Sequence, residues 1–259
     1  MKKYGGYLID LDGTMYRGNK VIEAAPLFIN ELVKKDIPYL FLTNNSSRTP
    51  EQIATRLNDM GIQTESGHVF TTSMATASYI KQQSPNATCY VIGEEGLFRA
   101  LQQEEIEIVH DEHCDYVVIG IDREITYEKL AIACLAVRNG ATLISTNSDA
   151  AIPTERGLLP GNGSMTAVIS VSTGKEPIYI GKPESIIVQE ALSRLGTSAE
   201  ETLIVGDNYE TDIMAGIYSN VDTLMVFTGF TPFQAYKHLP IKPTYYVQQL
   251  TEWIPYIKE

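Results

Sequence analysis

Two aspartates separated by one residue follow an apolar run near the start of the chain. Residues 7–10 read as a strand that ends in a carboxylate, and the motif continues as Asp10-Leu11-Asp12-Gly13-Thr14. In extended chain, residues two apart point to the same side. One carboxylate can then attack a substrate while the other handles protons. An Asp-Gly pair after a strand is also common in turns, so this motif alone does not show that the two carboxylates are catalytic.

Two further polar pieces follow predicted strands. Thr43-Asn44-Asn45-Ser46 comes after residues 39–42, and Gly181-Lys182-Pro183 comes after residues 178–180. Hydroxyl, amide and loop N–H groups can bind phosphate oxygens. A lysine just before a helix adds a charge where anions are already favoured. Taken alone, the Thr-Asn-Asn motif could equally form a turn, and Lys182 could equally be a solvated lysine.

A fourth piece is acidic. Gly206-Asp207-Asn208-Tyr209-Glu210-Thr211-Asp212 follows the apolar residues 202–205. Carboxylates that converge on one point repel each other unless a cation lies among them. Hard oxygen ligands at this density indicate Mg²⁺, which keeps water and substrate oxygens in its coordination shell. Asp212 could instead complement the dipole at a helix N-terminus.

The elements that must position these pieces alternate between apolar runs and amphipathic stretches. This alternation is typical of a parallel sheet flanked by helices, with ligand sites at the carboxyl ends of the strands. We predict an α/β protein with a doubly wound parallel core at residues 1–82 and 177–259 and an inserted α/β domain at 83–176.

The stretch 147–163 reads as a long Gly/Pro/Asn-rich loop, and a helix is predicted near 165–172. Within the loop, the polar side chains of Asn147 and Asp149 follow a predicted strand of the inserted domain, so we expect them to face the cleft and read the substrate. Gly161-Asn162-Gly163-Ser164 could cradle a phosphate. The favoured interpretation is a flexible loop with Ser164 as a helix cap.

Asp-x-Asp-Gly-Thr, Thr-Asn-Asn, Lys-Pro and Gly-Asp-x₄-Asp occur here in order, each after an apolar strand. Together they resemble the haloacid dehalogenase (HAD) superfamily over essentially the whole chain. The inserted domain, and the two asparagines after Thr43, resemble the NagD and p-nitrophenyl phosphatase group with its large α/β cap. The resemblance implies a phosphatase that passes the phosphoryl group through an aspartyl-phosphate.

The resemblance also implies the role of each motif residue. Asp10 would be the nucleophile and a metal ligand. Asp12 would protonate the leaving group, activate water and offer its backbone carbonyl to Mg²⁺. An Asp at this position disfavours the ATPases of the family, which carry Thr, and the dehalogenases, which lack it. The remaining candidates divide between phosphate binding (Thr43, Asn44, Asn45 and Lys182) and metal binding (Asp207 directly and Asp212 through the water shell).

Composition limits the partners. The chain has 259 residues and a formal net charge of −12, which disfavours nucleic acid and anionic membranes because both need a basic face. The three cysteines show no CxxC spacing, and no apolar stretch reaches membrane-spanning length. We therefore expect a cytoplasmic protein without a disulfide framework. Caps of this group often pair into dimers, so a homodimer is one expectation. The sequence contains no apolar stripe that would decide the oligomeric state.

The predicted substrates are small phosphorylated metabolites, with nucleotide monophosphates and sugar phosphates first, from the family resemblance. Two alternatives stay open from the sequence. A signalling receiver domain also uses a strand-end Asp, Mg²⁺, a Thr or Ser and a Lys, but it needs only about half this length and no insertion. A non-catalytic metabolite-binding protein on the same fold is the other.

Overall fold

The computed structural model describes residues 2–154 and 156–257. The strands of the described chain are β1 Gly6–Ile9, β2 Tyr16–Arg17, β3 Lys20–Val21, β4 Tyr39–Thr43, β5 Val69–Thr71, β6 Thr88–Ile92, β7 Glu107–Val109, β8 Tyr116–Ile119, β9 Thr142–Ser145, β10 Ala151–Thr154, β11 Gly157–Pro160, β12 Ile178–Tyr179, β13 Thr202–Gly206, β14 Asp222–Val226 and β15 Tyr245–Val247. The α-helices are α1 Ala24–Lys34, α2 Pro50–Asp59, α3 Thr72–Gln83, α4 Glu95–Gln103, α5 Tyr127–Arg138, α6 Asn162–Thr173, α7 Ser185–Leu195 and α8 Met214–Tyr218.

The chain divides into two compact units. A core unit contains the residues up to Thr43, Pro50–Phe70 and the chain from Lys182 onward, and an inserted unit contains Asn44–Thr49 and Thr71–Gly181. The main borders therefore lie at 71 and 181, whereas the sequence placed them at 83 and 176. The first border differs because α3 packs against α4 of the inserted unit.

The core unit is built on a six-stranded sheet in the order β15-β14-β13-β1-β4-β5. Strand β1 pairs in parallel with β13 on one side and with β4 on the other. The residues of β1, β4 and β13 are buried throughout, as expected for strands covered on both faces. Because the strand order reverses around β1, its carboxyl end is the crevice where ligands bind in doubly wound sheets. The doubly wound α/β prediction is confirmed.

Helix α1 illustrates how the sequence covers this sheet. Its buried residues Ala25, Phe28, Ile29 and Leu32 recur at the three- and four-residue spacing of one helical face. They join a core cluster that includes Tyr7 and Phe41 of the sheet. This packed layer fixes the strand ends on which the acidic motifs lie.

The inserted unit has its own five-stranded sheet, in the order β12-β9-β8-β6-β7. The four described pairings are parallel, and the strand order reverses between β6 and β8. We predicted that residues 178–180 would return to the core sheet, and this is wrong. Ile178 pairs with Ile144 of β9, and Ile180 N donates to Ser145 O at 3.0 Å, so the chain stays with the inserted sheet up to Gly181.

The predicted loop at 147–163 contains regular structure that the sequence did not indicate. Strands β10 and β11 form an antiparallel pair in which Pro153 lies opposite Leu158 and Ala151 opposite Pro160. The prolines argued against strands, yet both strands of a two-stranded ribbon are edges, where proline is tolerated. Helix α6 starts at Asn162 after Gly161, so the predicted start near Met165 and the Ser164 cap are also wrong.

Among the described residues, no helix combines the length and apolar character needed to cross a bilayer. The cytoplasmic location expected from the sequence stays a prediction. The three cysteines are unpaired thiols, as expected, with Cys89 and Cys134 buried. Burial raises the pKa of the Cys89 thiol to about 12, which keeps it protonated and unreactive at neutral pH.

Candidate active site

Three carboxylates of the core unit converge at the carboxyl edge of its sheet. Asp10 follows β1, Asp207 follows β13, and Asp212 lies on the single π-helical turn Tyr209–Ile213. One carboxylate oxygen from each lies within 4.8 Å of the others, and Asp207 and Asp212 are only 1% exposed. The predicted convergence of these three residues is confirmed.

Lys182 is the cation of this cluster. Its Nζ donates to Asp10 Oδ1 at 2.6 Å, to Asp212 Oδ1 at 2.7 Å and to the Leu42 carbonyl oxygen at 2.9 Å. Burial alone would lower the pKa of Lys182, but Asp10 and Asp212 hold it above its ordinary value. The lysine is therefore a fixed positive charge, with all three of its donor hydrogens directed at oxygens.

Asp207 is held by the chain around it. Its Oδ1 accepts from Thr14 Oγ1 at 3.2 Å, and its Oδ2 accepts from Phe230 N at 2.5 Å. A Cβ on Gly13 would lie 2.3 Å from Asp207 Oδ2, and Gly13 has a φ of +97°, so only glycine fits there. The sequence motif contained Thr14 without a role for it, and nothing in the sequence pointed to Phe230.

The electrostatics of the cluster fit a divalent cation. Burial and then the neighbouring Asp212 raise the pKa of Asp207 to about 6. Burial, Asp212 and Asp207 likewise hold the pKa of Asp10 well above its usual range, although Lys182 acts against them. Ionising all three carboxylates against one ammonium leaves an excess of negative charge, and a hard divalent cation would remove it. The donor set of carboxylate oxygens is the one that Mg²⁺ prefers.

Asp12 lies outside the three-carboxylate group. Gly13, with a φ of +97°, turns the chain after it. Partial removal from water raises the pKa of Asp12, although Arg56 and Gly18 act in the other direction. The side chain is exposed to solvent. Such a carboxyl group can hold a proton without ligating the same cation through its side chain.

Thr43 is the last residue of β4, two positions beyond Phe41, which pairs with Ile9 of β1. It is therefore buried at the same strand edge as Asp10. Lys182 also lies in the core unit, whereas the candidates Asn44, Asn45, Asn147 and Asp149 belong to the inserted unit. Asn45 Oδ1 accepts from Ser47 N at 3.1 Å and from Arg48 N at 2.9 Å, so its oxygen closes a tight turn.

Asn147 and Asp149 come together with Asn44 inside the inserted unit. Asn147 is only 5% exposed, and its Nδ2 donates to Asn44 O at 2.9 Å. The Asn44 amide lies 3.5 Å from each carboxylate oxygen of Asp149. That these two side chains read the substrate stays a prediction.

Comparison with known proteins places this site in a family. A haloacid dehalogenase-like hydrolase model matches residues 7–107, and a HAD-hydrolase-like model matches residues 179–253. The chain is 58% identical to the 5'-nucleotidase YutF of Bacillus subtilis, over 99% of this chain and 100% of that protein. It is 53% identical to an acid sugar phosphatase of Staphylococcus aureus over 98% of both.

The solved structure of NagD from E. coli superposes with a TM-score of 0.91 at 31% identity, covering 97% of this chain and 98% of NagD. The chain therefore belongs to the haloacid dehalogenase-like hydrolases, in the NagD-like branch. The resemblance inferred from the four motifs is confirmed, and so is the enzyme class, a HAD phosphatase.

Proposed function

We propose that the protein is a Mg²⁺-dependent phosphomonoester hydrolase that forms an aspartyl-phosphate on Asp10. The observation that carries this proposal is the contact of Lys182 with both Asp10 and Asp212, inside a group of three carboxylates that needs a further cation. Phosphoryl transfer needs in-line placement and charge neutralisation more than covalent chemistry from the protein, and the contacts of Lys182 support the second of these.

In the first step, an Asp10 carboxylate oxygen attacks the phosphorus, and the bond from phosphorus to the ester oxygen breaks. Lys182 holds the nucleophile in place, because its hydrogen bond to Asp10 Oδ1 fixes the carboxylate. Asp12 gives its proton to the departing alkoxide. Its raised pKa favours the protonated form that this step requires.

In the second step, Asp12 takes a proton from water, and the oxygen of that water attacks the phosphorus of the aspartyl-phosphate. The bond between phosphorus and the Asp10 oxygen breaks, which releases inorganic phosphate and restores the carboxylate. Thr43, Asn44 and Lys182 would hold the phosphoryl oxygens in both steps, and Asn45 is carried with them as a candidate from the resemblance.

Asp10, Asp207 and the Asp12 backbone carbonyl would hold the Mg²⁺. Both carboxylate oxygens of Asp212 already accept hydrogen bonds, from Lys182 and from Asn208 N at 3.0 Å, which favours contact with the metal through water. When bound, the cation neutralises charge on the cluster and on the transferring phosphoryl group.

The substrate class is proposed from the names of two relatives. The relatives named above are a 5'-nucleotidase and an acid sugar phosphatase. We therefore propose nucleoside monophosphates and sugar phosphates as the first compounds to test, ranked by kcat/KM. The homodimer expected from the sequence also stays a proposal, to be tested by the mass of the protein in solution.

The deciding experiment measures turnover of p-nitrophenyl phosphate by the parent protein with Mg²⁺ and after removal of metal. The proposal expects turnover with Mg²⁺ and its loss on chelation, restored when Mg²⁺ is added back. Absence of turnover in a folded, Mg²⁺-loaded protein would favour the non-catalytic metabolite-binding alternative.

A further inference from the structure

A short hairpin formed by β2 and β3 follows the acid–base candidate Asp12 in the core unit. Each of its strands has two residues, and they pair with each other in a sheet of their own, Tyr16 with Val21 and Arg17 with Lys20. A two-stranded hairpin is only marginally stable in water by itself. This hairpin therefore depends on contacts with the rest of the core unit to keep its place.

The backbone of the hairpin is joined to the backbone around Asp12. Gly13 N donates to Tyr16 O at 2.7 Å, and Asp12 forms an isolated β-bridge with Tyr16. The Asp12 side chain is exposed, so burial does not fix it. Where its carboxyl group lies therefore depends on the backbone that the hairpin holds.

Arg56 of α2 is the first anchor of the hairpin. Its Nη2 donates to Gly18 O at 2.5 Å, and its Cζ lies 4.7 Å from the centre of the Tyr16 ring. A guanidinium over an aromatic ring is attracted to it. Helix α2 is itself fixed, because Ile53 and Leu57 are buried in the core cluster. Arg56 thus connects both the turn and the first strand of the hairpin to a packed helix.

Arg17 is the second anchor, and it reaches in another direction. Its Nε donates to Thr228 O, in the loop after β14. Thr228 Oγ1 in turn donates to Gly13 O at 2.7 Å. The path from the hairpin through Thr228 therefore returns to the residue next to Asp12, and the hairpin and the Asp12 loop are held against the same neighbour.

We infer that Arg17 and Arg56 are positioning residues that hold the β2–β3 hairpin and thereby keep the Asp12 carboxyl group at the leaving group. This inference rests on the proposed function, since it assumes that Asp12 protonates the departing alkoxide. A displaced acid matters most for strongly basic alkoxides, which leave poorly without a proton. Loss of an anchor should therefore cost more as the leaving group becomes more basic, whereas a general loss of structure would affect all esters equally.

The test compares Arg56→Ala and Arg17→Ala with the parent on three esters, all with Mg²⁺. These are p-nitrophenyl phosphate, phenyl phosphate and the best alkyl phosphate substrate of the parent, in order of increasing basicity of the leaving group. For the alkyl ester we expect kcat/KM to fall by about tenfold, part of the roughly 10²–10⁴-fold that a general acid supplies. For p-nitrophenyl phosphate the fall should be less than about twofold, because its leaving group needs little help from an acid.

Two further variants sharpen this comparison. Arg56→Lys keeps the positive charge and a hydrogen-bond donor, so it should recover most of the loss. Arg194→Ala is the matched control, because the Cζ of Arg194 lies 5.9 Å from the centre of the Phe70 ring, elsewhere in the core unit. This control should behave as the parent on all three esters.

A double-mutant cycle tests whether Arg56 acts through Asp12. In an Asp12→Asn background, Arg56→Ala should change kcat/KM for the alkyl ester by less than about twofold, because the group that it positions no longer carries the proton. Arg17→Ala tests the hairpin independently, so it decides the question if Arg56→Ala does not fold. No loss, equal losses for the three esters, or additive effects in the cycle would each overturn the inference. A parent protein that turns over none of the esters would instead overturn the proposed function.

Discussion

The core unit and the inserted unit both gather polar groups at the carboxyl edge of a parallel sheet, yet they use that edge in opposite ways. In the core unit, Asp10, Asp207 and Asp212 meet around a single lysine, and their charges are not balanced. In the inserted unit, the edge is filled by the chain itself, and Ser46 and Asn147 make neutral hydrogen bonds there. Unbalanced charge indicates a site for a ligand, whereas hydrogen bonds among neutral groups of the chain indicate a support.

The largest effect is expected at the core edge. Asp10→Asn should reduce kcat by at least about 10³-fold, because an amide is not a nucleophile and is a poorer metal ligand. Steady-state turnover of p-nitrophenyl phosphate measures this loss. Thermal unfolding of the metal-free variant is the control for folding. An Asp10→Asn variant that keeps more than a tenth of the parent rate would contradict the role of Asp10 as the nucleophile.

Asp12→Asn should slow both steps rather than remove the nucleophile. We expect a loss of about 10²-fold or more in steady-state kcat, the range typical of a general acid–base group. Because p-nitrophenol is a good leaving group, the second step should suffer more, so a burst of product should precede slow turnover. An unchanged rate in both phases would contradict the acid–base role.

The electrostatic difference between the two edges can be measured without turnover. The pKa of Asp207 is raised to about 6 from 3.8, so its contribution to stability is present below 3.8 and is lost as the pH rises through about 6. Metal-free parent protein should therefore lose stability, relative to Asp207→Asn, between pH 4.5 and pH 7.5. A shift of this size corresponds to a difference on the order of 2 kcal/mol.

Thermal unfolding of both proteins at the two pH values measures this difference. Mg²⁺ should raise the Tm of the parent more at pH 7.5 than at pH 4.5, because protonated carboxyl groups are poor ligands. Equal pH dependence of the parent and Asp207→Asn would show that the cluster is not strained by its own charge.

The smallest effect is expected beneath the inserted edge. Gly161→Ala places a Cβ against the Asp149 carbonyl, so the loop must shift, with a cost of about 1–3 kcal/mol in stability. Thermal unfolding measures this loss of stability. Gly67→Ala is the matched control, because nothing lies within 4 Å of its added Cβ. Equal thermal stability of the two alanine variants would indicate that the close packing of Gly161 against Asp149 does not require glycine.

The two edges also differ in how far the sequence predicted them. The core strands and the convergence of Asp10, Asp207 and Asp212 follow from apolar runs and strand-end carboxylates, which are local patterns. The hydrogen bond from Asn147 to Asn44 joins residues about a hundred positions apart, and no local pattern encodes that pairing. The hairpin of β10 and β11 escaped prediction because its prolines are tolerated only on edge strands.

Residues 178–180 are predicted as a strand whose pairing partner likewise does not follow from the local sequence. Their apolar composition predicts a buried strand but carries no information on which of two sheets it joins. The pairing of Ile178 with Ile144 decides it, and that contact depends on where β9 ends. The local sequence therefore predicted the strand, whereas tertiary contacts determine which of the two sheets it joins.

The covalent step on Asp10 is tested most directly by trapping the intermediate. Asp12→Asn protein, loaded with Mg²⁺ and p-nitrophenyl phosphate, is quenched in acid during the slow phase and digested for mass analysis. The account predicts one added phosphoryl group on the peptide that contains Asp10, and none when Asp10→Asn is added to the same variant. An unmodified Asp10 peptide, taken while product is still forming, would contradict the aspartyl-phosphate mechanism.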